Sequence, residues 1–278
     1  MLPITHGIWA SNSTGFNTYY QDILDYGTSQ GYTLPSDAQQ ELQNSLVESM
    51  VNLGVWDNLD IFYVFATDAG SDFARINWID PNRNYAQLYN TPSFTSNEGY
   101  TGNHIALSYI ETNFIVGSTG ANFQNSDACL LAYIYDDIAN NTFGDIGLAD
   151  EQYLTGTQYG AINSKLPASG ALNTRAEYSL LDPTTSPFNT SDVPTSVGLS
   201  HVDRSNSTQI QFYKNGTLLN TRAATQTNID RDLYVNFLRG RYLADYSDRT
   251  ISIGGAGGSI ASAASGFGTA ITTYMTSI

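Results

Sequence analysis

Carboxylate side chains are the first residues to test for chemistry, because pairs of Asp and Glu residues perform most glycoside hydrolysis. Carboxylates at alternate positions of one strand share a face, where one can act as nucleophile and another as general acid. This chain has only six glutamates, and no two of them lie four residues apart: Glu41, Glu48, Glu98, Glu111, Glu151 and Glu177. Asp57 and Asp60 lie three residues apart in "DNLD", where we expect them to form a turn.

Other patterns typical of catalysis are also missing from the sequence. The chain has no Gly-x-Ser-x-Gly nucleophile motif. His6, His104 and His201 are scattered, without Cys partners or the spacing of zinc ligands. The glycine-rich run of residues 254–259 lacks the Lys-Ser/Thr ending of a phosphate-binding loop. We therefore expect no enzyme, and a glycan-degrading hydrolase or lyase is the least favoured function.

An acidic stretch, "YDDIANNTFGDIGLADE" at residues 135–151, is the region that suggests a metal ion. Its candidate calcium ligands are Asp136, Asp137, Asp145, Asp150 and Glu151, with Asn140 and Asn141. Calcium takes six to eight oxygen ligands, which this stretch could supply, but its spacing matches no fixed calcium loop. A solvated acidic loop is the competing interpretation. We expect no other cofactor.

Carbohydrate binding requires aromatic faces for stacking on sugar C–H groups, with amide or carboxylate groups nearby to bind hydroxyls. Trp78 fits this description because Asn77 and Asp80 flank it. Tyr85 and Tyr89 follow in a long polar segment. These five residues are the candidate carbohydrate-binding site. The alternative for Trp78 is a place in the core, where aromatic residues of β-sandwiches usually pack.

Composition excludes several classes of partner. The net charge is −15 although only 13% of the 278 residues are charged. This acidic balance argues against nucleic acid, which is bound through basic patches, and against anionic membrane surfaces. No apolar run is long enough to span a bilayer, and we expect no secretory leader. Cys129, the only cysteine, lies in the apolar run "ACLLAYIY" and is predicted to be a buried thiol.

Hydrophobic periodicity divides the chain into a helical segment and a β-rich segment. Residues 1–57 are predicted to form an N-terminal helical appendage, whose second helix is capped by Ser36, with Gln39 as its capping-box partner, and ends at Gly54. Residues 58–278 contain short strands separated by turn residues, which is typical of a sandwich or jelly roll. Among the predicted strands are "ARINWI" at residues 74–79 and "HIALSYIE" at residues 104–111. Asn215-Gly216 predicts a type I′ hairpin. A short amphipathic helix is predicted at the C-terminus.

Several motifs give the chain a family resemblance from residue 31 onward. The run "GYTLPSDAQQELQNSLVESMVNLGVWDNLDIFYVFATD" is followed in order by "INWIDP", "GYTGN", "FYKNG" and "SIGGAGGSI". This order and spacing resembles the laminin-G-like, concanavalin A-like domains of bacteriophage virion structural proteins. The resemblance implies a jelly-roll β-sandwich at the surface of a phage particle, as a tail fibre, an appendage or a capsid decoration. It also implies other virion proteins as partners and, by analogy, an oligomer such as a homotrimer.

Two functions follow from these observations. The first is a non-enzymatic virion protein that binds host or environmental glycans through its sandwich face or loops. The second is a purely architectural virion protein without a glycan ligand. The residues before Gly31 are predicted to act as a tether, so that their removal would leave a folded protein unable to join the particle.

Overall fold

The computed structural model describes residues 15–138, 144–149, 160–167, 175–182, 189–226, 228–229, 232–240 and 245–278. The helices are α1 (Thr18–Ser29), α2 (Asp37–Asn52) and α3 (Ala264–Ser277). The strands are β1 (Leu59–Val64), β2 (Gln87–Tyr89), β3 (Ser93–Thr95), β4 (Gly99–Thr101), β5 (Tyr109–Ile115), β6 (Ala128–Ile134), β7 (Ile146–Ala149), β8 (Gly160–Leu166), β9 (Arg175–Leu180), β10 (Asn189–Asp192), β11 (Gly198–Asn206), β12 (Gln209–Lys214), β13 (Thr217–Ala223), β14 (Tyr234–Phe237) and β15 (Thr250–Gly257).

The strands form two sheets, in which every described pairing is antiparallel. Sheet A has the order β13-β12-β11-β6-β15-β4-β3, and β1 pairs with β15 beside this path. Sheet B has the order β10-β9-β8-β7-β14-β5-β2. The two sheets stack as a sandwich, with the helices at the N- and C-terminal ends of the chain. This arrangement confirms the predicted mainly β fold with N-terminal helices and a C-terminal helix.

Strand β6 shows why both faces of sheet A are packed against other elements. Leu130 and Ile134 face sheet B in the inter-sheet core, whereas Leu131 and Tyr133 face the helices in the helix-side core. Because successive side chains of a strand point to opposite faces, the continuous apolar run buries both of them. Cys129 lies on the helix side and is buried, as predicted.

Local signals at the element ends are confirmed. The Ser36 Oγ accepts a hydrogen bond from the Gln39 amide at 3.4 Å, and Gly54 follows α2 with a φ of +67°. Asn215 and Gly216 have φ values of +49° and +77°, as a type I′ turn between β12 and β13 requires. The side chain of Gln39 does not close a capping box. It binds the β1 end of the sandwich instead, where its Oε1 accepts from the Thr67 hydroxyl at 2.7 Å.

The helical segment shares one core with sheet A rather than projecting from it. Gln43 of α2 connects the three helices: its Oε1 accepts from the Tyr20 hydroxyl at 2.8 Å, and its Nε2 donates to the Tyr274 hydroxyl at 3.2 Å. The Tyr274 hydroxyl in turn donates to the Ala66 carbonyl at 2.7 Å, just beyond β1. Burial raises the pKa of both tyrosines above the ordinary value. The division at residue 57 stays a prediction, but α1 and α2 are packed into the sandwich.

Two strand predictions fail at turns. The run "ARINWI" contains the end of a short 3-10 turn, Phe73–Arg75, and an extended stretch outside any strand. The first half of "HIALSYIE" forms a turn at residues 104–107, and β5 begins only at Tyr109. None of the helices that the structure describes combines the length and apolar character needed to cross a bilayer.

Removing the helical segment should unfold the protein, because it would expose the helix-side face of sheet A. We expect a chain lacking residues 1–57 to lose cooperative urea unfolding. Tyr20→Ala should lower the free energy of unfolding by about 3–5 kcal/mol, as for other buried aromatic residues. Tyr19→Ala is the matched control, since Tyr19 is 41% exposed and Tyr20 is 0% exposed; its effect should stay below about 1 kcal/mol. A protein lacking residues 1–57 that still unfolds cooperatively would contradict this expectation.

Candidate functional site

Asn77 and Trp78 lie in the interior of the protein. Trp78 is 1% exposed, and its ring centroid lies 6.0 Å from that of Tyr20 and 5.9 Å from that of Phe62. The Asn77 Oδ1 accepts hydrogen bonds from the amides of Phe62 at 3.0 Å and Ile79 at 3.2 Å. Helix α1 therefore covers the indole, which is the core position given as the alternative for Trp78. This placement corrects the assignment of Asn77 and Trp78 to the candidate carbohydrate-binding site, since both residues act in packing.

Tyr85 is also held by protein contacts. Its hydroxyl donates to the Asp72 carbonyl at 3.1 Å, and the Arg75 guanidinium lies 4.7 Å from its ring centroid. Tyr32 packs beside it at 6.1 Å between ring centroids. Burial raises the pKa of the Tyr85 hydroxyl. Tyr85 is only partly accessible and belongs to the border of the helix-side core.

Tyr89 lies on the opposite side of the sandwich, on the outer face of sheet B. It is 37% exposed and stacks on Tyr109 of β5, with the ring planes 7° apart and the centroids separated by 4.6 Å. The register places Tyr89 opposite Tyr109 and Gln87 opposite Glu111. Asn113 follows on the same face of β5, because alternate residues of a strand share a face. We call these five residues the tyrosine surface.

A buried cation supports the tyrosine surface from the side of β14. The Arg239 guanidinium lies 4.6 Å from the ring centroid of Tyr109 and 5.6 Å from that of Tyr246. Such a cation over an aromatic face is attracted by the ring quadrupole, and the attraction grows when the pair is removed from water. Arg239 and Tyr246 are both buried, so the contact of the Arg239 guanidinium with the Tyr109 ring fixes the position of that ring. The stacked pair is thus a preorganised aromatic platform.

Asp80 lines a small polar pocket at one end of the sandwich, apart from Trp78. The pocket has a volume of about 170 Å³ and also contains Asp60, Arg83, Asn84 and Phe114, with Ser118, Thr119, Gly120 and Ala121 on the opposite wall. Asn84 lies three residues before β2, and Phe114 is the second-last residue of β5. The pocket is therefore at one end of the two strands that carry the tyrosine surface.

A larger and more apolar groove, of about 490 Å³, runs between α2 and α3. Its apolar lining includes Leu42, Leu46, Leu53 and Ala270. The groove lies on the far side of the sandwich from the tyrosine surface.

The predicted calcium ligands are distributed over separate contacts. Asp137 pairs with Lys165 at 2.7 Å, and this hydrogen bond lowers the pKa of the Asp137 carboxyl to about 2. Asp136 accepts from the Thr250 amide at 3.0 Å. Asp150, Glu151, Asn140 and Asn141 lie outside the described residues. Among the residues that the structure does describe, no three His, Cys, Asp or Glu side chains are grouped closely enough to hold a metal ion.

Asp145, the remaining predicted ligand, belongs to a buried ion pair. The Arg249 Nη1 lies 2.9 Å from both carboxylate oxygens of Asp145 and also donates to Asn163 at 2.9 Å. The carboxylate accepts further bonds from the Ser164 amide at 2.6 Å and the Ser247 hydroxyl at 2.9 Å. This network joins the start of β7, strand β8 and the start of β15, and therefore connects the two sheets. Its role is structural, which corrects the interpretation of Asp145 as part of a solvated loop.

A second cation, Lys214, is buried nearby. Its Nζ donates to the carbonyls of Ser196 at 2.8 Å and Gly198 at 3.3 Å, and to the Ser200 hydroxyl at 3.2 Å. Burial lowers the pKa of this amine to about 7, because removal from water disfavours the charged form.

Two features of the site were missed in the sequence. Tyr109 lies in a strand that we began too early, so its register with Tyr89 could not be seen. Asp60 was assigned to a turn, and the structure shows that its carboxylate also forms one wall of the pocket. A signal existed for Tyr109, because Tyr109, Glu111 and Asn113 alternate with the buried Ile110, Thr112 and Phe114.

No protein-family model matches the sequence, and no curated protein sequence matches it. Similar solved structures do exist. The Trypanosoma rangeli sialidase in complex with 2,3-difluorosialic acid has a TM-score of 0.50 and 10% identity, over 84% of this chain and 40% of that one. Domain 4 of AbnA, a GH43 extracellular arabinanase from Geobacillus stearothermophilus in complex with arabinotriose, has a TM-score of 0.43 and 12% identity, over 76% and 98%. The receptor binding domain of botulinum neurotoxin D has a TM-score of 0.41 and 11% identity, over 73% and 50%.

At this level of identity, the likeness to the sialidase shows the fold alone. The chain spans about 40% of that sialidase and half of the neurotoxin domain. The laminin-G-like and concanavalin-like resemblance is thus supported as a β-sandwich fold. The assignment to a phage particle stays a prediction.

Breaking the buried ion pair should strongly destabilise the protein. Asp145→Asn or Arg249→Met leaves the other charge buried without its partner, which costs about 3–5 kcal/mol of unfolding free energy. The double variant should lose clearly less than the sum of the single variants, because neither charge then remains alone. Asp72→Asn, which removes the exposed Asp72–Arg75 pair, is the control and should cost below about 1 kcal/mol. Urea unfolding of the four variants measures these free energies. If the losses of the two single variants add up in the double variant, Asp145 and Arg249 are not energetically coupled.

The buried Lys214 should make stability depend on alkaline pH. Its pKa is about 7 in the folded protein and 10.5 in the reference state, so between these values the unfolded chain binds more protons. Stability should therefore rise with pH across this window, by at most about 1.4 kcal/mol per pH unit. Lys214→Met should remove this dependence while remaining folded. The measurement is the difference in unfolding free energy between the two proteins at pH 6, 8 and 10, and a pH-independent difference would contradict a depressed pKa.

Proposed function

We propose that this chain is a non-enzymatic protein of a phage particle surface, whose tyrosine surface binds host or environmental glycans. The observation that carries the glycan part is the Tyr89–Tyr109 stack, which lies on the outer face of sheet B at strands β2 and β5, with Tyr89 exposed. The virion part, as a fibre, an appendage or a capsid decoration, rests on the order of sequence motifs described above.

The chemistry of the tyrosine surface fits a sugar better than a flat apolar partner. Tyr89 offers an aromatic ring for C–H contacts, and Gln87, Glu111 and Asn113 offer amide and carboxylate groups for hydroxyls. Tyr109 is buttressed by Arg239, so binding requires little ordering of side chains. The helix layer covers the outer face of sheet A, whereas the tyrosine surface lies on the outer face of sheet B and remains accessible.

A non-enzymatic role is part of this proposal. The tyrosine surface contains one carboxylate, that of Glu111. A glycoside hydrolase needs two, one as general acid and one as nucleophile or base. In the pocket, both oxygens of Asp60 accept backbone amides, from Asn122 at 2.7 Å and Phe123 at 2.8 Å. That carboxylate is committed to holding a turn rather than to proton transfer.

The test is a glycan-array screen of the full-length protein, with and without calcium, that reads both retention and product release. We expect retention without cleavage. Tyr89→Ala and Tyr109→Ala should weaken binding at least tenfold, which corresponds to about 1.4 kcal/mol. Tyr135→Ala is the matched control, because Tyr135 is 44% exposed at the end of β6 in sheet A and should leave binding unchanged.

Three results would overturn the proposal. Released oligosaccharide would make the protein an enzyme. Retention that Tyr89→Ala leaves intact would move the binding site elsewhere. No retention under either condition would favour the architectural function, for which the groove between α2 and α3 offers an apolar surface.

A further inference from the structure

The pocket at the end of sheet B is built by two turns that face each other. One wall is the turn of residues 80–84, and the other is the turn of residues 118–121. Asp60 and Phe114 contribute from strands β1 and β5. With a volume of about 170 Å³, the pocket lies below the range of about 300–1,000 Å³ that is usual for drug-sized ligands. It has room for a single ring of a larger ligand.

The first turn is fixed by its own aspartate. The Asp80 Oδ1 accepts from the Asn82 amide at 3.1 Å, and the Asp80 carbonyl accepts from the Arg83 amide at 3.0 Å. Asn84 ends the turn with a φ of +57°, and its carbonyl accepts from the hydroxyl of the buried Tyr63. The turn is thereby attached to the interior of the sandwich.

The second turn is fixed by Asp60. Its two carboxylate oxygens accept from the Asn122 and Phe123 amides, which directly follow the turn. The Ala121 amide donates to the Ser118 carbonyl at 3.0 Å, and Gly120 has a φ of +85°. Burial raises the pKa of the Asp60 carboxyl, and the two amides act in the opposite direction. Both walls are thus preorganised, which reduces the entropy that ligand binding would cost.

The lining combines acceptors, a donor and an apolar edge. Asp60 and Asp80 supply carboxylate oxygens, Arg83 supplies a guanidinium, and Phe114 supplies the apolar contact. Within the described part of the chain, no side chain forms an ion pair with Arg83. Hydroxyl groups on adjacent carbons of a sugar ring match this lining, since each can donate to a carboxylate and accept from a guanidinium.

We propose that this pocket binds one neutral sugar ring, as a subsite of the glycan that the tyrosine surface contacts; this inference rests on the proposed function. Two carboxylates and one guanidinium give the lining a formal charge of −1, which disfavours sialic and uronic acids. Bare calcium fits poorly, because the ion needs six to eight oxygens and Arg83 would repel it.

The position of the pocket allows one glycan to reach both places. Phe114 and Tyr109 belong to the same strand, five residues apart. At about 3.4 Å per residue, this separation is about 17 Å. Asn113 and Glu111 lie between them and offer polar groups along the way. Phe114 points toward the inter-sheet core whereas Tyr109 points outward, so an oligosaccharide of several rings that reaches both must pass over the end of β5 rather than lie flat along it.

Two pocket variants test this inference on the full-length protein. Asp80→Asn keeps the oxygen that accepts from the Asn82 amide but removes the charge, and Arg83→Ala removes the guanidinium. Both should weaken binding of neutral oligosaccharides at least tenfold, measured by calorimetry. Asp57→Asn and Arg222→Ala are the matched controls, since neither residue lines the pocket, and both should bind as the unmodified protein does.

The outcomes separate the two proposals. If the unmodified protein binds neutral oligosaccharides and both pocket variants bind equally well, the pocket inference is overturned while the proposed function stands. Tighter binding of sialylated or uronic-acid glycans, or calorimetric binding of calcium chloride alone that Asp80→Asn abolishes, would also overturn it. Absence of binding by the unmodified protein would overturn the proposed function itself.

Discussion

The central strands of sheet A are buried on both faces, and the places of the other layers follow from this constraint. Strands β1 and β6 carry apolar side chains at consecutive positions, so each face needs its own cover. Sheet B covers one face, and α1, α2 and α3 cover the other. The helices are therefore part of the fold. On sheet B, exposed side chains lie at β2 and β5, whereas every residue of β7 and β8 is buried.

Burial also determines where several of the charged side chains lie. The chain has only 11 Lys and Arg residues against 26 acidic residues, and several of the cations are placed inside. Arg204 donates to the carbonyls of Leu180 and Leu181, both at 3.1 Å, and Arg249 neutralises Asp145. Buried guanidinium groups are tolerated because their planar donors are satisfied by fixed acceptors. Arg83 differs, since it lies exposed in a turn beside two carboxylates, which is why the pocket is the place to look for specificity.

Local sequence signals predicted much of the fold. Ser36, Gly54 and Asn215-Gly216 mark the ends of elements through their own backbone preferences, and the structure has each where it was expected. The continuous apolar run of β6 did not indicate which face of the strand meets the helices. The strand prediction for "ARINWI" failed because non-local contacts position Trp78. These contacts are a backbone hydrogen bond to Phe62 and the packing of its ring against Tyr20 of α1.

The site was less predictable than the fold for the same reason. Trp78 and Tyr89 are near in sequence, yet they lie on opposite sides of the sandwich, since Trp78 belongs to the helix-side core and Tyr89 to sheet B. The pairing of Tyr89 with Tyr109 depends on the register of two strands, between residues 20 positions apart in the sequence, which composition does not encode. The residue type of Asp80 was enough to select it as a candidate. Asp60, which lines the same pocket, comes from β1, and only the fold brings the two residues together.

The burial of both lysines has a practical consequence for handling the protein. Lys165 and Lys214 are the only lysines of the chain, and each is less than 10% exposed with its amino group in hydrogen bonds. Both lysines should therefore react slowly with reagents that acylate or cross-link amines while the protein is folded. Immobilisation through lysine would therefore select unfolded molecules, whereas carboxylates are abundant attachment points. Lysine acylation, followed by mass spectrometry, would accordingly report on opening of the sandwich rather than on its surface.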